Sequence, residues 1–198
     1  MDFPKIHAGV DEVGRGPLAG PVIAAAVILN PDDFIEGLAD SKLLTAKKRE
    51  LLSEVIQSRA LAFAFGRAEV DEIESINILQ ASLLAMNRAI ALLKIKPELA
   101  LVDGNQCPKN CLYPSRAIIK GDCLIPAISA ASIIAKVARD AEMMEYDKLY
   151  PDYGFAAHKG YGTQQHRDAL KKYGPLSLHR KLFIRGCIYE HKHEYESS

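Results

Sequence analysis

A chain of 198 residues, 48% of them hydrophobic, is long enough to bury one sizeable core, which excludes a disordered tail or a disulfide-stapled miniprotein. Its 25 basic residues are matched by 25 acidic ones, so a chain that is polycationic throughout is excluded too. No apolar run approaches the length of a membrane span, and Met1 to Lys5 lack the pattern of a secretory leader; a cytoplasmic, membrane-free protein with reduced thiols is expected.

Residues 5–12 read as a strand ending in two adjacent carboxylates, Asp11 and Glu12, followed by Gly14-Arg15-Gly16-Pro17. If buried, such an acid pair costs folding energy unless a cation or a hydrogen-bond network compensates it. Glycines beside Arg15 let backbone amides approach a ligand that a side chain would hold off. Acids for a metal, with backbone and arginine for an anion, point to phosphate chemistry. Consecutive strand residues face opposite sides, so Asp11 and Glu12 need an irregular strand to share a site. Gly14, Gly16 and Gly20 imitate a dinucleotide fingerprint, but the last spacing is one residue too long. Pro17 and Pro21 also spoil the helix that should follow.

Residues 20–30, an apolar run between Pro21 and Pro31, read as a buried strand, and residues 60–68 as a third. Thr45 caps a helix reaching about Arg59, with Lys48 where a capping box would carry an acid. Over residues 70–95, Ile73, Ile76, Leu79, Leu83, Met86, Ile90 and Leu93 form one helical stripe that faces a core. Strands ending at Asp103 and at Asp122 follow, then a long helix over 129–148 and a basic one over 163–173 closed by Gly174 and Pro175. The order predicts an α/β protein with a mixed sheet flanked by helices and a helical C-terminal part.

Asp11, Glu12, Asp103 and Asp122 each end an apolar segment, where α/β folds gather ligands. Oxygen donors suit magnesium or manganese, and a pair of such ions can hold a phosphodiester and activate water. Asp103-Gly104 and Gly121-Asp122 fit ordinary turns equally well. Between His158 and Arg185, Lys159, Arg167, Lys171, Lys172, Arg180, Lys181 and Arg185 face one acid, Asp168, and His158, His166 and His179 add potential charge. That is either a solvated helix face or a track for phosphates. Ser129, Ser132, Lys136 and Asp140 share one side of the long helix, as a polar face or as support for the acids. Cys107 and Cys111 are spaced too loosely, without a second ligand pair, to specify zinc, and Cys123 adds none.

Taken together, these motifs resemble the ribonuclease HII family, the type 2 ribonucleases H of bacteria. The resemblance runs from Gly9 to about Arg180. It is carried by Asp11-Glu12 with Gly14-Arg15-Gly16, Asp40-Ser41-Lys42-Leu43, Asp103-Gly104, Lys120-Gly121-Asp122, Ser129 to Val137 with Arg139-Asp140, and His158-Lys159-Gly160-Tyr161-Gly162-Thr163. It implies a ribonuclease H-like fold and metal-dependent endonuclease cleavage of the RNA strand in RNA–DNA hybrids. Incision 5′ of single ribonucleotides embedded in duplex DNA, leaving 3′-hydroxyl and 5′-phosphate ends, is implied as well. Asp11, Glu12, Asp103 and Asp122 would be the catalytic quartet and hold Mg2+ or Mn2+. Gly14, Arg15 and Gly16 would contact the ribonucleotide, Tyr161 its sugar, and Lys42, His179 and Arg180 the substrate. Ser132, Lys136 and Asp140 would support the site, Asp140 being second choice to Asp122 as a ligand.

The expected whole is a monomer, one catalytic domain over 1–198, with 158–187 as its basic substrate-binding part. Its partners would be RNA–DNA hybrid and ribonucleotide-containing DNA. Two alternatives remain at this point, another two-metal nuclease such as a junction resolvase and a catalytically silent nucleic-acid binder. One departure from the family pattern is Leu176-Ser177-Leu178-His179-Arg180, where Ser-Pro-x-His-Arg is usual; it bears on local contacts and on helix packing within 176–183.

Overall fold

Every residue of the strand Val22–Ile28 is buried, as its unbroken apolar run requires of a central strand covered on both faces. The computed structural model describes residues 3–38 and 44–189, so Asp40-Ser41-Lys42-Leu43 and the contact expected of Lys42 lie outside the described residues. Five strands, β1 (His7–Val13), β2 (Val22–Ile28), β3 (Ala62–Ala68), β4 (Leu99–Asp103) and β5 (Ser115–Ile118), form one mixed sheet in the order β3-β2-β1-β4-β5. β1 pairs antiparallel with β2 and parallel with β4, and β5 continues the parallel side.

Helix α1 (Ala46–Arg59) begins where Thr45 accepts the Lys48 amide, so the cap forms without the box. Helix α2 (Val70–Ala91) covers one sheet face, burying Ile73, Leu83, Met86 and Ile90 against Val10, Val22 and Ala24. The single stripe expected over 70–95 is in fact broken. Asn77 leaves helical geometry (φ 68°), and its carboxamide caps a new start by accepting the Leu79 and Gln80 amides. The break shifts the phase of the stripe and leaves Ile76 exposed.

After β5, Lys120 turns left-handed (φ 56°) and ends the extended chain, so Asp122 lies in a short helix, α3 (Gly121–Leu124), and not on the strand expected there. Helix α4 (Pro126–Leu149) crosses the other sheet face, packing Ala130, Ala131 and Ile134 on Ala25 and Val27. Gly9 permits this crossing, because a Cβ there would collide with the Ala127 backbone.

Past a 3-10 turn at Pro151–Tyr153, helices α5 (Phe155–His158), α6 (Gln164–Tyr173) and α7 (Lys181–Tyr189) form the helical C-terminal part. Their own apolar cluster includes Tyr153, Phe155, Leu170 and Ile184, and reaches Met143 on α4 and Ala19 in the loop after β1. Backbone bonds Leu18 N–H to Gly160, Gly20 N–H to Leu178 and Arg180 N–H to Leu18, each 2.8 Å, stitch that loop to the C-terminal part. The unusual 176–183 segment is thus part of this seam. No described helix is long and apolar enough to cross a membrane.

Candidate active site

Parallel pairing of β1 with β4 places Val10 opposite Val102, so the next residues, Asp11 and Asp103, emerge together at the carboxyl edge of the sheet. Asp122 joins them from α3, its amide donating to Asp103 Oδ1 at 3.3 Å. Asp11 and Asp122 are 6% and 2% exposed, and only the tips of such acids can meet a ligand. Asp11 Oδ1 accepts the Glu12 amide at 2.7 Å and the carboxyl also bonds Ser132 of α4. Glu12, at the end of β1, is paired with Arg15 at 3.3 Å.

Burial, and then the charges of Glu12 and Asp103, push the Asp11 carboxyl well above its ordinary range. Burial also raises Glu12; Arg15 works against that shift and Asp103 adds to it. Acids that oppose one another's ionisation are relieved by a cation, and the donors are all hard oxygens. Among the described residues, no three His, Cys, Asp or Glu side chains are already gathered as a metal cage. Magnesium does not need one, since it keeps several waters and binds through one or two carboxylates plus substrate phosphate. The four acids fit such an ion.

Beside them a cleft of about 340 Å³ is lined by Glu12, Arg49, Ser132, Lys136 and Tyr161. Of the polar stripe expected on α4, Ser132 faces the acids, and Lys136 holds Asp140 at 2.6 Å. Ser129 is buried and donates to the Leu38 carbonyl, so it does not belong to a solvent face. Arg49 had no signal in the sequence, because only the packing of α1 on α4 brings it to this cleft.

Gly14 turns left-handed (φ 96°) directly against the Arg139 side chain, and a Cβ there would strike it. Gly16 lies by the Tyr161 ring: a Cβ would stand 3.6 Å from Cε1. Tyr161 is 42% exposed and lines the cleft, and the exposed Arg15 stands beside it through its pair with Glu12.

Two expected substrate contacts are not at the surface. His179 and Arg180 are buried; Arg180 donates to carbonyls of the glycine loop, and His179 shares a hydrogen bond with His166. The extra positive charge expected of the histidines is absent for the same reason. Burial lowers His158, and brings His166 and His179 down to about 4, so all three are neutral at pH 7. Arg139, His158 and His166 are thus structural partners of the site whose roles depend on burial. All four cysteines are thiols, and among the described residues they contribute to no metal cluster.

Comparisons with known proteins show the family and the fold. The family model described as ribonuclease HII matches residues 8–186. Ribonuclease HII of Nitrosococcus oceani is 62% identical over 176 residues, covering 89% of this chain and 87% of the relative. Ribonuclease HII of Coxiella burnetii is 60% identical with the same coverage. Among solved structures, ribonuclease H2 from Pyrococcus horikoshii superposes with a TM-score of 0.75 at 28% identity, covering 91% of this chain and 96% of the other. With a ribonuclease H-like sheet and four acids at its edge, the chain belongs to the ribonuclease HII family.

Proposed function

We propose that this chain, an RNA–DNA hybrid endonuclease by family, also incises 5′ of a single ribonucleotide embedded in duplex DNA, leaving 3′-hydroxyl and 5′-phosphate ends. The observation that carries the proposal is the juxtaposition of the acidic edge with a cleft shared by Glu12, Lys136 and Tyr161. Asp11, Glu12, Asp103 and Asp122 hold the metal, with Asp140 in reserve. When bound, Mg2+ or Mn2+ supplies an activated water and neutralises charge on the phosphate oxygens.

The chain's own groups do the rest. Ser132 and the Glu12 amide orient the Asp11 carboxyl. Arg49 and Lys136 along the cleft, and Arg15 beside Glu12, offer positive charge to the phosphates. The 2′-hydroxyl is what separates RNA from DNA, so a protein that reads it must come close. Backbone at Gly14, Arg15 and Gly16 can do so, and the Tyr161 ring covers the sugar next to it. Lys42, outside the described residues, adds a phosphate contact. Residues 158–187 complete one catalytic unit with the sheet, Lys171 and Lys172 lying exposed on α6 for the duplex. The enzyme acts as a cytoplasmic monomer.

Neither alternative is favoured: family membership argues against a junction resolvase, and retained acids would repel phosphates in a silent binder. The test is cleavage of a labelled duplex carrying one ribonucleotide, with Mg2+, with Mn2+ and with chelator. Metal-dependent incision on the 5′ side is expected. Cleavage of a long hybrid without incision at the single ribonucleotide would remove the role of Tyr161 and the glycine loop; cutting of ribonucleotide-free DNA would favour the resolvase.

A further inference from the structure

Arg180 is fully buried, yet a guanidinium stays charged at neutral pH, and no carboxylate is among its bonded partners. It donates instead to the carbonyls of Gly14 at 2.6 Å, Arg15 at 3.0 Å and Pro17 at 2.9 Å, and through two nitrogens to Gly20 at 2.7 and 3.0 Å. Arg139, also fully buried, takes the carbonyls of Ala19 at 3.0 Å and Pro21 at 3.3 Å, and that of Lys159 at 2.9 Å. Two buried cations therefore collect six carbonyls of the loop between Gly14 and Pro21.

A trans peptide carries its C=O and the following N–H on opposite edges. Carbonyls of Gly14 and Arg15 drawn inward to Arg180 turn the amides of Arg15 and Gly16 the other way. The amides of Leu18 and Gly20 are taken by Gly160 and Leu178. Gly16 itself stands beside the Tyr161 ring. Buried hydrogen bonds to a charged donor are strong and poorly replaced, so this arrangement is held rigidly.

We propose that Arg180 is a positioning residue for ribonucleotide recognition: from behind the loop it aims the Arg15 and Gly16 amides at the 2′-oxygen, without itself meeting the substrate. The inference rests on the reading of the glycine loop given under the proposed function. Arg139 anchors the other end of the same loop. A lysine at position 180 would keep the charge but cannot reach four carbonyls with a planar fork.

The experiment compares the full chain with Arg180→Lys and Arg180→Met on two substrates, a DNA duplex with one ribonucleotide and a long RNA–DNA hybrid. Melting curves establish that each variant is folded at the assay temperature. Misplacing a contact by about 1 Å can cost ~100-fold, so kcat/KM on the single ribonucleotide should fall about tenfold to a hundredfold. The hybrid, which offers a 2′-hydroxyl at every position of its RNA strand, should lose less, and the metal dependence should not change. Arg180→Lys should fall between the wild type and Arg180→Met.

A folded variant with the wild-type ratio between substrates would overturn the inference, as would an equal loss on both. Failure of both variants to fold would assign Arg180 to the fold alone and overturn it too. A wild type that does not incise the single ribonucleotide removes the loop reading itself, an outcome seen before any variant is compared.

Discussion

His166 and His179 face each other across a 3.0 Å contact between their Nε2 atoms, and only one arrangement of protons satisfies both rings. The Leu176 amide donates to His179 Nδ1, so His179 carries its proton on Nε2 and gives it to His166. His166 then carries its own on Nδ1, donating to the Tyr161 carbonyl at 3.0 Å. His158 stacks on His166 with ring centroids 4.3 Å apart. A proton added to this chain must break one of its bonds.

Acid should therefore loosen the C-terminal part. An unfolded histidine takes its proton near pH 6.5, whereas burial holds His166 and His179 to about 4. Between those values the unfolded chain binds more protons. The contribution is complete above pH 6.5 and is lost as pH falls toward 4, by about 1.4 kcal/mol per pH unit for each histidine. Asp11 and Glu12, raised in the fold, act in the opposite sense. Urea unfolding of wild type and His166→Asn from about pH 7.5 to 5 separates the two contributions. The variant should show a shallower fall on acidification; parallel curves would refute the assignment.

Asp11→Asn should abolish cleavage while leaving duplex binding largely intact. It removes one charge from a buried group in mutual repulsion with Glu12 and Asp103, so the metal-free variant should melt higher than metal-free wild type. Added Mg2+ should raise the melting temperature of wild type more than that of the variant. Near-normal cleavage by Asp11→Asn would sink the assignment of the quartet.

Tyr161→Phe should retain incision at an embedded ribonucleotide, because it keeps the ring edge that lies against Gly16. Tyr161→Ala should lose about tenfold to a hundredfold in kcat/KM, the scale expected when the reacting sugar is no longer held in place. Steady-state rates on the single-ribonucleotide duplex check both, and equal behaviour of the two variants would count against a role for the ring.

Gly14→Ala should destabilise the protein by about 1–3 kcal/mol, since the residue sits at φ 96° with Arg139 against it. Gly16→Ala meets only an ordinary contact and should fold as wild type does. Thermal melts of the pair give the comparison; equal melting temperatures would contradict the strained conformation at Gly14.

Much of this protein was legible in the chain. The unbroken apolar run of β2, the helical stripes and the strand ending at Asp103 follow from local periodicity, which a sequence displays directly. Family motifs carried the four acids, the glycine loop and Tyr161. A break at Asn77 and the left-handed turn at Lys120 escaped, because single-residue backbone states leave the apolar pattern on either side unchanged. Only the tertiary structure brought Asp11 beside Asp103, through parallel pairing of strands distant in the chain. It also decided which basic residues meet solvent. Arg180 and the three histidines read as part of a basic track, and burial made the arginine an internal anchor and left the histidines neutral. A sequence records which groups can carry charge; the surrounding fold determines whether water or a carbonyl will hold it.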